Sequence, residues 1–176
     1  MKKLLIITTC INVILAVGCS KSGSSSNSTS SYSNFTLTTN NYDSGYYSHP
    51  NGHANWGGAG SLSQLLVSGY VDSLNNHIKN MTIAVTFNHK PSSSGTYRVA
   101  TYWLNQTPLS DSTCDIILSN NTNQYVCNRV GDVVNVTLSN GTATINFSNV
   151  GMLGTSLNNN NITWSGSLSG TIIEGK

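Results

Sequence analysis

Charged residues are scarce in this chain. Asp, Glu, Lys and Arg together account for 8% of its 176 residues, whereas roughly 25% is typical of soluble proteins. Two of the eight basic residues, Lys2 and Lys3, lie at the very start of the chain, and the other six balance the six acidic residues. Nucleic-acid binding needs a cluster of Lys and Arg that can neutralise phosphates. Because the basic residues are scattered, we expect no nucleic-acid partner.

The short motifs that mark common catalytic sites are also missing. The sequence contains no Gly-x-Ser-x-Gly, no His-Glu-x-x-His and no phosphate-binding loop. A glycosidase needs two carboxylates that face each other across a cleft. No such pair is suggested by the spacing of the acidic residues, which are Asp43, Asp72, Asp111, Asp115, Asp132 and Glu174. The sequence therefore indicates no cofactor and favours a protein that is not an enzyme.

Long apolar runs are absent apart from one near the start of the chain. Residues 4–17 are mostly apolar but too short for a membrane-spanning helix, which needs about 20 residues. They follow two lysines, as in a secretory signal. The end of the run, Leu15-Ala16-Val17-Gly18-Cys19, resembles the lipobox of bacterial lipoproteins. The resemblance implies that residues 1–18 are a removable signal peptide and that Cys19 carries fatty acyl groups. Ordinary signal cleavage, which leaves a free thiol at Cys19, is the alternative.

Residues 19–34 have the composition of a flexible tether. The segment after Cys19, SKSGSSSNSTSSYSN, has almost no apolar side chains, so it cannot bury enough surface to offset the loss of chain entropy on folding. Ser/Gly chains behave as flexible coils. Ser20, rather than an acidic residue, follows Cys19, and in bacterial lipoproteins this favours the outer membrane over the inner one. The resemblance thus implies a membrane partner, reached through an N-terminal lipid, and a location in the cell envelope.

Residues 35–176 have the pattern of a single β domain. Asn, Ser, Thr and Gly are abundant there, and these residue types favour strands and turns over helices. Apolar and polar residues alternate in several short segments, which include Phe35 and Leu37; Met81, Ile83, Val85 and Phe87; and Tyr97, Val99, Thr101 and Trp103. Such segments, separated by frequent turns, predict an all-β fold: an antiparallel β-sandwich or, as the alternative, a β-barrel. Residues 61–71 fit either a strand or a short helix.

The clearest hairpin signal is DVVNVTLSNGTATINF. Asn140-Gly141 is the dipeptide that a two-residue type I′ turn prefers. Counting outward from this turn places three apolar pairs on one face: Leu138 with Ala143, Val136 with Ile145, and Val134 with Phe147. The pairs Thr137 with Thr144 and Asn135 with Asn146 fall on the other face. Since the turn and the hydrophobic pattern agree, the sequence predicts the register as well as the hairpin.

Two cysteines, Cys114 and Cys127, lie within the predicted domain and are separated by DIILSNNTNQYV. This segment has the pattern of a strand, a polar turn and a second strand, and an exported protein meets an oxidising compartment. We therefore predict a Cys114–Cys127 disulfide that closes an antiparallel hairpin in which Ile116 faces Tyr125. The absence of a Cys-x-x-Cys motif argues against a metal or redox role for these cysteines.

Several segments of the domain resemble those of small lipoproteins from Bacteroidota. They are the strand–loop–strand NMTIAVTF…PSSSGTYRV, the hairpin NGTATINFSNV and the terminal strand WSGSLSGTI, with a Ser-Gly-Thr-Tyr element at residues 94–97. The resemblance implies a lipid-anchored β domain in the cell envelope. It implies no activity and no catalytic residues, because the lipoproteins concerned are uncharacterised.

The segment YYSHPNGHANWGG, residues 46–58, holds the candidate site residues. A Pro-Asn-Gly turn separates His49 from His53, so the two imidazoles could converge on a metal ion. An exposed polar loop is the alternative, because a zinc site needs three or four ligands. The aromatic residues predicted to offer flat faces to a ligand such as a glycan are Trp56, Tyr46 and Tyr47.

These patterns favour a non-catalytic envelope lipoprotein that binds a glycan or an envelope protein. The alternative is a metal-dependent protein or enzyme that uses the loop containing His49 and His53. An inhibitor or accessory subunit of an envelope complex fits the same sequence features as the first hypothesis.

The lipid anchor is testable by mass spectrometry of the protein from membranes. Because lipid attachment starts at the cysteine thiol that follows the signal, the mature chain should begin at Cys19 and carry fatty acyl groups there. Cys19→Ala should abolish acylation and release the protein into the soluble envelope fraction, whereas Cys10→Ala, within the signal, should leave acylation intact. A mature chain with an unmodified Cys19 would contradict the anchor.

Overall fold

The computed structural model describes residues 32–48, 52–71, 79–159 and 162–175. The predicted signal peptide, Cys19 and nearly all of the predicted tether lie outside these residues. In chain order the elements are β1 (Asn34–Thr39), β2 (Gly45–Ser48), β3 (Asn55–Ala59), β4 (Leu62–Val71), β5 (Lys79–Phe87), β6 (Gly95–Val99), α1 (Tyr102–Asn105), β7 (Thr113–Ser119), β8 (Asn123–Cys127), β9 (Val133–Ser139), β10 (Thr142–Ser156) and β11 (Thr163–Ile173). Within this part of the chain no helix has the length and apolar character needed to span a membrane.

Strands β9 and β10 form the predicted hairpin with the predicted register. Leu138 lies opposite Ala143, Val136 opposite Ile145, and Val134 opposite Phe147. The turn residues Asn140 and Gly141 have φ angles of 52° and 76°, the left-handed conformation that a type I′ turn requires at both central positions. The hairpin prediction is confirmed, and its apolar face is part of the hydrophobic core.

The pairing joins all eleven strands of the described residues into one sheet, which also closes on itself. Five strands form a ring in the order β6, β7, β8, β10 and β9. Outside this ring the sheet continues from β10 through β11, β1, β2, β4 and β5 back to β7, and β3 pairs with β4. The named strands pair antiparallel except β6 and β7, which run parallel.

The predicted all-β class is therefore confirmed, but the pairing does not divide into the two separate sheets of a sandwich. The five-strand ring is closer to the barrel that the sequence left as the alternative. The sheets are joined because β10 is long, with 15 residues. It pairs with β9 along its first half, with β8 along its second half, and with β11 along both halves. One strand shared in this way connects what would otherwise be separate sheets.

A β-bulge in β10 makes this sharing possible. Pairing with β11 shifts by one residue between Phe147 and Val150, so Ser148 and Asn149 together oppose Ser169. Asn149 has a φ of 53°, a conformation that Asn tolerates better than most residues, and its N–H donates to Ser169 Oγ at 2.8 Å. A bulge bends its strand and increases the local twist. Side chains at odd positions face the core before the bulge, and those at even positions face it afterwards.

The core is a single cluster of buried side chains to which nearly every strand contributes. One row of the inner face runs across four neighbouring strands as Tyr47, Phe35, Gly170 and Phe147. The rings of Phe35 and Tyr47 stack with their centroids 5.1 Å apart. Gly170 lets β11 approach β1 closely, because a Cβ at this position would lie 2.5 Å from the carbonyl oxygen of Asn34. Glycine is the residue expected where two backbones meet at this distance.

The predicted disulfide is wrong for this structure, in which Cys114 and Cys127 are buried free thiols. The predicted register would place Tyr125 opposite Ile116, but Tyr125 lies opposite Leu118. This offset of two residues makes the cysteines diagonal neighbours, whose Cα atoms are about 7–8 Å apart in a sheet. A disulfide needs about 4.4–6.8 Å. Burial, together with the carboxyl of Asp115, raises the pKa of the Cys127 thiol, so the thiol is neutral.

The turn between β7 and β8 explains the offset. The side-chain oxygen of Asn120 accepts hydrogen bonds from the N–H groups of Thr122 and Asn123 at 2.9 and 2.7 Å. The N–H of Asn120 donates to the carbonyl of Asn123 at 3.0 Å. These bonds centre the turn one residue later than a symmetric loop between the cysteines would. An Asn side chain can close such a turn on its own backbone, and the Asn-rich loop offers several asparagines for that role.

The structure also corrects the predicted start of the domain and the predicted end of β6, and it settles whether residues 61–71 form a strand or a helix. Ser33 is buried, and its hydroxyl accepts a hydrogen bond from the N–H of Ile173 at 2.9 Å, so the fold begins slightly before residue 35. Residues 62–71 form a strand rather than a helix. The alternating pattern predicted through Trp103 ends at Val99, because Thr101 is left-handed with a φ of 54° and starts the α1 turn.

Gly170→Ala should destabilise the fold by about 1–3 kcal/mol, the usual cost of inserting a methyl group into a packed site. The new Cβ would meet backbone atoms of Asn34 and Phe35, which cannot move without separating β1 from β11. Urea denaturation measures the change. Gly58→Ala is the matched control, since a Cβ there has no heavy atom within 4 Å. Equal stability of the two variants would contradict the close approach.

Candidate functional site

The two adjacent tyrosines of the predicted ligand surface point to opposite faces of β2. Tyr46 is 57% exposed, whereas Tyr47 is fully buried. The hydroxyl of Tyr47 donates to the backbone oxygen of Asp43 at 2.5 Å, and burial followed by the charge of Asp43 raises its pKa. The prediction that Tyr47 contacts a ligand is therefore wrong, because successive strand residues alternate between faces. Tyr46 stays a candidate.

Trp56 is partly buried and already has partners. Its ring packs against Phe87 with centroids 6.0 Å apart, and Lys90 Nζ lies 5.0 Å from the ring centroid. Lys90 also pairs with Glu174 at 2.6 Å. Lys90 thus takes the place over the indole that a stacked sugar would need. This arrangement favours a structural role for Trp56, in holding the end of the chain against β3.

The histidine pair falls partly outside the described residues. His49 lies outside them, and His53 is exposed just before Ala54. Ala54 bridges Glu174 near the end of the chain. Among the residues that the structure does describe, no three His, Cys, Asp or Glu side chains come together in a way that could hold a metal ion. The metal site at His49 and His53 stays a prediction.

A groove of about 420 Å³ crosses the outer face of β9, β10 and β11. Its lining residues at outward positions are Val133, Asn135, Asn146, Ser148 and Thr171, and Phe147 and Gly170 of the inner row also line it. It lies beside the bulge, where the normal pairing of β10 with β11 is interrupted at Ser148 and Asn149. The volume is within the range of small-molecule sites, about 300–1,000 Å³, but the groove is shallow and open to solvent rather than enclosed. The same bend that lets β10 join both parts of the sheet therefore opens this groove.

A polar row runs through the groove across five adjacent strands. In register, its members are Thr96 on β6, Asn135 on β9, Asn146 on β10, Thr171 on β11 and Asn34 on β1. Two hydrogen bonds order the row: Thr96 Oγ1 donates to Asn135 Oδ1 at 3.0 Å, and Thr171 Oγ1 donates to Asn146 Oδ1 at 2.8 Å. These bonds fix the orientation of both amide groups.

The Nδ2 groups of Asn135 and Asn146 are the unused donors of the groove. Both amide oxygens accept from threonine hydroxyls, and neither Nδ2 donates to any group in the described part of the chain. Ser148 adds an exposed hydroxyl, and Val133, which is 41% exposed, adds an apolar surface. The groove therefore combines oriented polar donors with a small apolar patch.

The groove carries no charge of its own. None of its lining residues is titratable, and Arg129, which lies near the bulge, is neutralised by Asp132 at 2.5 Å. Arg129 also donates to the backbone oxygen of Asn149. General acid–base catalysis needs a titratable group within hydrogen-bond reach of the reacting atoms. The groove can bind a neutral polar molecule, but its lining lacks the groups for acid–base chemistry.

The buried carboxylate of Asp43 has a structural role. It accepts hydrogen bonds from Asn120 at 3.1 Å, Asn123 at 2.7 Å and the hydroxyl of Tyr125 at 2.8 Å. Its side chain has no exposure to solvent. This network joins the loop after β1 to the turn between β7 and β8, and it leaves no route by which a substrate could reach the carboxylate.

Asp115 is another fully buried carboxyl, and it holds the α1 turn against β7. Its oxygens accept hydrogen bonds from the N–H groups of Trp103 and Ile116, both at 2.8 Å. Burial raises its pKa to about 6, although the hydrogen bonds from Trp103, the Cys127 thiol and Ile116 act in the opposite direction. With no exposed surface, Asp115 is a structural group rather than a catalytic one.

The sequence did not predict the groove, although its patterns indicated one part of the lining. The hairpin register placed Asn135 opposite Asn146 on the outer face, which the structure confirms. The bulge at Ser148 and Asn149 has no comparable sequence mark. Without the bulge, the pair is an ordinary polar pair on an exposed face.

Asp115→Asn should flatten the dependence of stability on pH. An unfolded Asp has a pKa near 3.8 and the folded one about 6, so the folded state retains a proton that the unfolded state loses. The retained proton stabilises the folded state. This stabilisation is fully present below about pH 4 and is lost as the pH rises through about 6, and the total loss is up to about 3 kcal/mol.

The free energy of unfolding, measured in urea between pH 4 and pH 8, tests this expectation. The native protein should lose stability across this window relative to Asp115→Asn. Asp111→Asn removes an exposed carboxyl instead and should keep the native slope. If stability changed with pH in parallel for the native protein and Asp115→Asn, burial would not raise the pKa of Asp115.

Compared with known proteins, the chain matches no protein-family model, no curated protein and no solved structure.

Proposed function

We propose that this chain is a non-catalytic binding module of the bacterial cell envelope, anchored through a lipid on Cys19, and that the groove is its ligand site. The observation that carries the ligand site is the pair of oriented, unused amide donors on Asn135 and Asn146 in an uncharged groove. The anchor is supported by the lipobox-like sequence and the Ser-rich tether, and by the resemblance to small Bacteroidota lipoproteins. Ser20, which follows Cys19 in place of an acidic residue, favours the outer membrane over the inner one.

A neutral carbohydrate is the ligand class that fits the groove best. Sugar hydroxyls can accept hydrogen bonds from the two amide groups. They can also form hydrogen bonds with the hydroxyls of Ser148 and Thr171. The apolar face of a pyranose ring can pack on Val133, in the way that ligand sites combine apolar walls with a few placed polar groups. A charged ligand would be held without a counter-charge in the lining, which is unfavourable.

The neutrality of the domain supports this choice. A protein or lipid partner selected by charge would need a charged patch for steering, and the basic and acidic residues beyond the signal balance each other. An uncharged glycan of the envelope requires no such patch. A protein partner from the envelope would instead be expected to cover more surface than this groove offers.

Binding should be measured with the full-length lipoprotein in detergent on an array of neutral and charged glycans. The variant with both Asn135→Ala and Asn146→Ala should bind at least about tenfold more weakly, because each hydrogen bond contributes about 1 kcal/mol. Thermal denaturation should accompany the assay, to show that the variant is folded.

Asn121→Ala provides the matched control, since Asn121 is exposed, lies outside the groove and makes no hydrogen bond with the described residues. It should bind like the native protein. Unchanged affinity in the double variant, or binding restricted to charged glycans, would refute the groove as the site. Turnover of a bound glycan would refute the non-catalytic assignment.

A further inference from the structure

We infer that the binding face extends from the groove across β11 and β1 to Tyr46 on β2, and that its ligand is a neutral oligosaccharide lying across the strands. This inference rests on the proposed function, because it concerns the length and path of the same ligand. It adds an aromatic contact outside the groove and a minimum size for the ligand.

The strand register connects Tyr46 to the groove. Tyr46 lies opposite Thr36 on β1, and Thr36 lies opposite Ser169 on β11. Ser169 in turn accepts a hydrogen bond from the N–H of Asn149, at the bulge that opens the groove. The row from the groove to Tyr46 is therefore continuous across neighbouring strands.

The side chains of this row face outward. The neighbours Phe35 and Tyr47 on β1 and β2 are buried in the core, so Thr36 and Tyr46 occupy the opposite face of the sheet. Tyr46 is 57% exposed. A tyrosine that presents its ring to solvent on a strand offers a flat apolar face with a polar edge.

The surface between the groove and Tyr46 is neutral and rich in hydroxyl groups. The outward residues of β11, β1 and β2 along the two rows are Thr171, Asn34, Ser48, Ser169, Thr36 and Tyr46. They present donors and acceptors at the spacing of the strands, about 4.8 Å. None of them is charged, so the chemistry that favours a neutral sugar in the groove continues to Tyr46.

The span sets the size of the ligand. From β10, at the centre of the groove, to β2 there are three strand spacings, which is about 14 Å. A single pyranose ring is far shorter and can contact either the groove or Tyr46, but not both. Only an oligosaccharide directed across the strands can use the two together.

The test is a length series measured by NMR titration of the full-length lipoprotein in detergent. The probes are neutral gluco- and manno-oligosaccharides of one to six sugars. The dissociation constant should fall by about tenfold or more between the monosaccharide and the longer members, which corresponds to one added aromatic contact. Tyr46→Ala should remove this gain, so that the longer members bind no more tightly than the monosaccharide.

Tyr42→Ala is the matched control, because Tyr42 is 63% exposed but lies outside the two rows. It should keep the gain with length. If binding depends on Asn135 and Asn146 but not on length, or if the gain survives Tyr46→Ala, the extended face is wrong and the groove stands. If no neutral sugar binds, both the extended face and the proposed ligand class are wrong.

Discussion

Strand β10 is the element on which the rest of the structure depends. It pairs with β9, β8 and β11, and the bulge at Ser148 and Asn149 allows one strand to serve all three. A bulge bends its strand and adds twist, so the inward face changes from odd to even positions without exposing the core. The five-strand ring, the continuity of the outer strands and the groove all follow from this single irregularity.

Because charged residues are scarce, the buried carboxyls of this domain are held by neutral hydrogen-bond donors. Among the described residues, the fully buried carboxyls are Asp43 and Asp115, and both are held by amide, hydroxyl or backbone N–H donors. Buried polar groups are tolerated when hydrogen bonds replace those lost from water. Each carboxyl fastens a loop or turn to the sheet. Asn and Tyr side chains, rather than basic residues, hold the buried carboxylate of Asp43. The groove on the outer face is likewise lined by uncharged residues.

The sequence predicted features whose cause is local, and it failed where the cause lies between distant strands. Asn140-Gly141 specifies both the turn and the register, so the β9–β10 hairpin was predicted correctly. The loop before Tyr125 contains several asparagines that can each close a turn, so the sequence did not specify the register that keeps Cys114 and Cys127 apart. The sequence did not distinguish Tyr46 from Tyr47, since either residue of a four-residue strand can face the core. The groove depends on a bulge between β10 and β11, which local patterns do not reveal.

The unjoined state of Cys114 and Cys127 bears on how the protein can be handled. Its folded form includes no covalent cross-link among the described residues, so maturation should not wait for an oxidant or an isomerase. The domain should tolerate reducing agents, and its production in a reducing bacterial cytoplasm should yield the same fold. The described part of the domain therefore needs no oxidation step to reach its folded form.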